Sequence, residues 1–318
     1  MQSSRSLNKR ILGKYSQNNA GPLLVVLGAM HGNEPAGVLA IEELTKLLKQ
    51  EPKNNPSFTF NGTFMGLIGN LKAYQQGERF IEKDINRHWT EKTIAHIESN
   101  PKDKLTSEER EMQEILDTIK QELKSNTYTR CVILDLHTTS SEGGIFTIPS
   151  EYPDSLQIAL ELQAPVVKGM LSGLKGTTLH YFTNDVLPID TTAVTFESGQ
   201  HLDAFSPKRA IAAIINCMRT IECVDGAHVE NRHDELLISY SKNLPRCSEL
   251  VHRHHINDGD NFVMKPNYKN FQEIQKGEQL ATDKDGPILS PFTGRILMPL
   301  YQKQGEDGFF IVEETSLD

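Results

Sequence analysis

The chain contains no long apolar run and little cysteine. No stretch approaches the ~20 consecutive apolar residues of a membrane-spanning helix, and Met1 to Ser16 is polar and basic without the apolar core of a signal peptide. A cytoplasmic protein with no membrane partner is expected. The four cysteines, Cys131, Cys217, Cys223 and Cys247, lie far apart and form no Cys-x-x-Cys pair. That spacing argues against a disulfide framework and a thiolate zinc site, and for reduced, mostly packed thiols. No basic stripe interleaved with aromatics is present either, and the net charge of −9 is spread along the chain, so no nucleic-acid partner is expected. An acidic protein that binds an anionic ligand needs a local arginine cluster, because its distant field repels the ligand.

What is present suits a soluble globular protein. At 318 residues, with 37% hydrophobic and 24% charged residues, the chain can bury one large α/β core and a smaller second one. Leu23 to Leu27 is short and aliphatic, and runs through Gly28-Ala29-Met30-His31-Gly32-Asn33-Glu34-Pro35 into a helical pattern from Ala36 to Lys49. Phe58 to Ile68 reads as a second strand region. Ser107 to Leu123 reads as an amphipathic helix with Met112, Ile115, Leu116 and Ile119 on its apolar face. Cys131 to Leu136 and Ala193 to Phe196 read as strands ending at His137 and Glu197, and a helix follows from about Pro207 to Glu222. Strands alternating with helices predict an α/β fold with a mainly parallel mixed sheet flanked by helices. Beyond Cys223 the texture changes to short alternating segments, Glu235 to Tyr240, Leu250 to Ile256, Ile288 to Leu300 and Phe309 to Glu313. The expected division is a catalytic α/β unit at 1–223 and a smaller β-rich unit at 224–318 partly covering the site. Gln50 to Ser57 reads as a surface loop.

His31 and Glu34 lie three apart on a loop leaving the carboxyl end of a strand, where open α/β sheets bind ligands. His137 leaves another strand end and can complete the set. Two histidines, one glutamate and an open position form a catalytic zinc set in which the metal lowers the pKa of its bound water toward ~7. Each residue alone is better read as an ordinary polar side chain; the combination points to one Zn²⁺ per chain. Glu197, at a third strand end, is placed to deprotonate a water and return the proton to a leaving amine.

The segments from Gly28 to Gly37, Asp84-Ile85-Asn86-Arg87, Asp135-Leu136-His137-Thr138-Thr139-Ser140 and Phe196-Glu197-Ser198-Gly199 together resemble the succinylglutamate desuccinylase/aspartoacylase family, which is similar in fold to zinc carboxypeptidases. The resemblance implies that His31, Glu34 and His137 are the zinc ligands and Glu197 the general base. It also implies that Arg79 polarises the scissile carbonyl, and that Asn86 and Arg87 grip a substrate carboxylate. Asp84 and Asp135 are candidates to orient the metal-bound histidines, Asp135 only if its strand continues to His137; a hydrogen bond that merely stabilises the sheet serves equally well there.

Two departures bear on substrate. Aspartoacylases carry a further arginine shortly before the matching glutamate, whereas Tyr181 to Phe196 contains neither Arg nor Lys, and their tyrosine near the C-terminus has its counterpart in Glu306-Asp307-Gly308-Phe309-Phe310. N-acetylaspartate is therefore not the expected substrate. The His252, His254, His255 cluster has no patterned carboxylates and is not read as a second metal site, and Thr138 to Ser141 lacks a nucleophile elbow. The expected function is zinc-dependent hydrolysis of a small anionic N-acyl amino acid. A carboxypeptidase acting on short peptides and a non-catalytic metal-binding interaction protein are the alternatives. A homo-oligomer is left open.

Overall fold

The computed structural model describes residues 9–316. Part of the basic stretch Met1 to Ser16 and the outer ends of the two expected units lie outside the described residues. The chain runs β1 (Ile11–Ser16), β2 (Asn19–Gly28), α1 (Ala36–Asn54), β3 (Asn61–Ile68), α2 (Leu71–Gln76), α3 (Glu91–Ser99), α4 (Ser107–Ser125), β4 (Cys131–Thr139), β5 (Phe146–Pro149), α5 (Pro153–Glu161), β6 (Val166–Lys168), α6 (Thr178–Tyr181), β7 (Thr191–Gln200), α7 (Ser206–Thr220) and α8 (Arg232–Ser241). It continues through β8 (Cys247–His255), β9 (Val263–Met264), β10 (Gln272–Ile274), β11 (Gln279–Asp283), β12 (Gly286–Leu289), β13 (Gly294–Leu297) and β14 (Asp307–Glu314).

An eleven-stranded mixed sheet runs in the order β1-β3-β2-β4-β7-β5-β6-β8-β14-β13-β10. Its central strands β3, β2, β4 and β7 are parallel, with β1 antiparallel at the edge and β5 antiparallel on the far side of β7. Alternation along β2 explains the layering. Leu23, Val25 and Leu27 enter one apolar cluster with Met112, Ile115 and Ile119 of α4, and Leu24 and Val26 enter another with Ile41 and Leu44 of α1 and Ile214 of α7. A strand buried on both faces needs such a continuous aliphatic run. Helix α4 begins at a capping box, with the Thr106 hydroxyl accepting from the Glu109 amide and the Glu109 carboxylate accepting from the Thr106 amide.

After β2 the chain crosses to β3 on one side, and β4 lies on the other. The crevice at their carboxyl ends is thus a topological switch point, a place where open α/β sheets bind ligands. Beyond β6 the sheet continues as β8, β14, β13 and β10, and β12, β11 and β9 form a small separate sheet.

Two local expectations are corrected. Glu235 to Tyr240 belongs to helix α8, not to a strand; Leu237 is buried in the cluster that includes α7, and Asp234 pairs with Arg219 at 2.9 Å, so helix packing overrides the apparent alternation. Gln50 to Asn54 is the end of α1 rather than loop: helix-favouring Lys and Glu residues extend it through Pro52, which stands in its last turn.

Candidate active site

The carboxyl ends of β2, β4 and β7 bring three parts of the sequence together. After β2, Ala29 takes a φ of 52° and turns the chain; Gly32 then passes so close to α2 that a Cβ would lie 2.2 Å from the carbonyl carbon of Ala73. That approach requires glycine and sets His31 and Glu34 over the sheet. β4 runs on to Thr139, so Asp135 and His137 lie on one strand face, and β7 pairs in register with His137 opposite Glu197. Gly199, at φ 110°, faces Arg209, whose Nε donates to the Ser198 carbonyl at 2.8 Å and holds the strand end.

His31, Glu34 and His137 are all buried, and one ligand atom of each lies within 4.8 Å of the others. His31 Nδ1 is 2.9 Å from Glu34 Oε1, and His137 Nδ1 is 3.2 Å from Glu34 Oε2. On the far side of each ring stands another carboxylate, with Asp84 Oδ1 3.1 Å from His31 Nε2 and Asp135 Oδ2 3.0 Å from His137 Nε2. A hydrogen on each Nε2 satisfies these aspartates and turns both Nδ1 lone pairs toward Glu34. Lone pairs facing a carboxylate repel unless a proton or a cation stands between them, so the donor set fits a divalent metal ion. Asp84 and Asp135 thus stand behind the two rings. Burial opposes charge on His137, but Asp135 and Glu34 outweigh it and hold its pKa well above the ordinary histidine range. For Glu34, burial is outweighed by His31 and His137 and the pKa falls well below normal.

A model of the succinylglutamate desuccinylase/aspartoacylase catalytic domain matches residues 20–221. The chain belongs to the succinylglutamate desuccinylase/aspartoacylase family. It is 25% identical over 300 residues to a succinylglutamate desuccinylase of Pseudomonas paraeruginosa, covering 89% of this chain and 81% of that protein. It is 29% identical over 127 residues to a probable aspartoacylase of Nostoc, covering 39% of this chain and only 38% of that relative. The fold is similar to that of a succinylglutamate desuccinylase/aspartoacylase from Rhodobacter sphaeroides, with a TM-score of 0.64 at 16% identity over 96% of this chain and 88% of the other. These likenesses establish the family fold of a mainly parallel mixed sheet with helices, followed by a smaller antiparallel sheet.

The remaining expected residues line the same cavity. Glu197 is buried, with Oε2 lacking a hydrogen-bond partner. Burial raises its pKa to about 8, with Glu34 and Asp135 adding to the rise and His137 and Arg79 opposing it. The Arg79 guanidinium donates to Asp84 Oδ2 from Nη2 at 2.9 Å and from Nε at 3.2 Å, and its Nη1 lies 3.5 Å from Glu34 Oε1. Asn86 accepts from the Thr178 amide at 2.9 Å and places its side-chain nitrogen 3.4 Å from His137 Nε2. Arg87 is already engaged, donating from Nη2 to Asp307 at 2.7 Å.

Several site residues were not expected. Glu108 of α4 accepts from the amides of Ile81, Glu82 and Lys83 at 2.8, 3.1 and 3.3 Å, tying down the segment between Arg79 and Arg87. His201 lines the cavity between Thr138 Oγ1 at 2.7 Å and Gln302 Oε1 at 3.1 Å, and its place at the end of the Glu197 strand was the signal available in the sequence. The histidine cluster in β8 has a packing role: His254 stacks on Phe309 with ring centroids 4.9 Å apart, and His252 lies beside the same ring. His31, Glu34 and His137 are the one cluster of metal-ligating groups among the described residues.

Proposed function

We propose that this protein is a cytoplasmic, zinc-dependent hydrolase that cleaves the amide bond of a small N-acylated amino acid. The observation that carries this reading is the convergence of His31, Glu34 and His137, with an aspartate behind each histidine, beside the buried Glu197. His31, Glu34 and His137 would hold one zinc ion. Zinc held there would supply Lewis acidity, making the attacking water more acidic and polarising the scissile carbonyl.

Glu197, whose ionised form the charge of a bound zinc would favour against the effect of its burial, takes the proton of the attacking water on its carboxylate and hands it to the departing nitrogen as the C–N bond breaks, leaving a carboxylate and an amine. Arg79 donates to the oxygen on which negative charge develops, and Asp84 keeps its guanidinium in place. Asn86 and Arg87 orient the substrate carboxylate. We read 1–223 as the catalytic unit and 224–318 as the unit that narrows the cleft. Leu300, Gln302, Asp307 and Phe310 reach the cavity from that second part, which favours a small ligand over an extended peptide.

Metal content of the purified chain, measured beside hydrolysis of N-acetyl and N-succinyl amino acids by wild type and Glu197→Gln, tests the proposal. Stoichiometric zinc with activity lost only in the variant supports it. Absence of metal, or full activity in the variant, overturns it.

A further inference from the structure

The cavity is open to solvent and is lined by residues from the loop after β2 through to β14. Its lining is divided. Its polar groups include the histidines, Glu34, Glu197, Gln302 and the hydroxyls around Thr138, whereas Ile148, Met170, Leu179, Met298, Leu300 and Phe310 provide an apolar wall, all but Leu300 belonging to one apolar cluster. These six come from β5, the β6–α6 region and the C-terminal strands and loops, so the wall is assembled from distant parts of the chain.

The positive charge available to a ligand is small. Among the described residues that line the cavity, Arg79 and Arg87 are the only arginines, and no lysine is present. Arg79 is held by Asp84 and lies beside Glu34. Arg87 donates to Asp307 Oδ2 at 2.7 Å, while Arg253 Nε donates to Asp307 Oδ1 at 2.6 Å. One carboxylate shared by two guanidiniums leaves Arg87 with positive charge in reserve, enough to meet one carboxylate of a ligand. A second ligand carboxylate would find no further arginine or lysine in the lining, which otherwise offers the apolar wall, neutral hydroxyl and amide groups, and the acidic Glu306 and Asp307. An unpaired charge against apolar side chains loses its hydration without compensation.

We propose that this cavity selects N-acyl amino acids with an apolar side chain and a single carboxylate, and rejects those with a second carboxylate on either the side chain or the acyl group. The inference rests on the hydrolase reading for its substrate type, but its own content is the balance of charge and apolar surface.

The test compares N-acetyl-L-leucine and N-acetyl-L-methionine with N-acetyl-L-aspartate and N-succinyl-L-glutamate on the zinc-loaded 318-residue chain. The two apolar substrates should exceed the two dicarboxylates in kcat/KM by ~100-fold or more. Calorimetry with zinc-loaded Glu197→Gln gives the four dissociation constants in the absence of turnover and should place them in the same order. Leu174→Arg adds a cation at a half-buried position on the cavity wall and should tighten N-acetyl-L-aspartate at least ~10-fold relative to N-acetyl-L-leucine. Dicarboxylates cleaved and bound as well as the apolar ligands would overturn the inference, as would a Leu174→Arg chain that folds with unchanged relative affinities. Turnover of none of the four would defeat the hydrolase reading, while the order of dissociation constants would still decide this one.

Discussion

Asp135→Asn isolates what the carboxylate behind His137 contributes to the proposed zinc site. Asp135 is fully buried; its Oδ2 meets His137 Nε2 at 3.0 Å and accepts from Thr178 Oγ1 at 2.5 Å, while Oδ1 is buried without a partner. An asparagine carbonyl oxygen in the Oδ2 position would preserve both contacts and the ring orientation. What it removes is the negative charge that makes the His137 imidazole more basic and, on the proposed reading, a stronger ligand. Loss of such an outer partner typically costs 10- to 100-fold in metal affinity, about 1.4 to 2.8 kcal/mol. Zinc affinity is read by competition with a chromophoric chelator at fixed pH. Thermal unfolding of the metal-free variant reports the cost of the unpartnered amide nitrogen, about 1 to 3 kcal/mol, together with the loss of the Asp135–His137 charge pair. Thr178→Val, which keeps the charge and removes only the hydroxyl, should weaken zinc much less. An Asp135→Asn protein binding zinc within twofold of wild type would refute the assignment of His137 as a ligand oriented by this carboxylate.

Glu197→Gln should retain zinc and lose about 100- to 10,000-fold in kcat, checked by steady-state kinetics beside metal analysis. Arg79→Ala should lower kcat by about 100- to 1,000-fold, with the fold confirmed by circular dichroism. Glu108→Ala removes the acceptor for the Ile81, Glu82 and Lys83 amides, and should destabilise the protein by about 3 kcal/mol and speed amide hydrogen exchange at those positions. In metal-stripped protein, the raised pKa of His137 contributes stability fully present below its unfolded value and lost as pH rises through the folded one. The lowered pKa of Asp84, where burial is outweighed by Arg79 and His31, contributes stability present above its unfolded value and lost as pH falls through the folded one. Tm of the stripped protein should therefore fall toward both alkaline and acidic pH. Zinc should remove the alkaline loss, because His137 then holds a metal in place of a proton.

The catalytic half of the fold was legible because its strands are short aliphatic runs that stop at chemically distinctive residues. Leu23 to Leu27, Cys131 to Leu136 and Ala193 to Phe196 all lie within strands, and parallel pairing in register brings their carboxyl ends together without further information. The sequence therefore indicated that His31, Glu34, His137 and Glu197 share a crevice. Strand ends were less legible. β4 continues through His137 to Thr139, and that extension puts Asp135 behind the His137 ring, whereas β7 reaches Gln200 and brings His201 to the cavity. Hydrogen bonding to neighbouring strands sustains both extensions, and a single strand's composition does not reveal it.

The residues that could not be read are those whose role depends on a partner far away in the chain. Glu108 looks like one of several acidic residues at the start of an amphipathic helix, yet its carboxylate organises backbone amides around positions 81–83. Asp307 looks like a turn residue before a hydrophobic strand, yet it stands between Arg87, 220 positions away, and Arg253, 54 positions away. Such a carboxylate changes the meaning of the arginine it touches. From sequence, Arg87 is a free cation waiting for a substrate; in the folded chain its charge is already partly balanced, and the pocket beside it is walled with Met298, Leu300 and Phe310. Local residue types therefore sufficed to bring His31, Glu34, His137 and Glu197 to one crevice, whereas the partners of Arg87 and the apolar lining beside it come from strands and loops far along the chain.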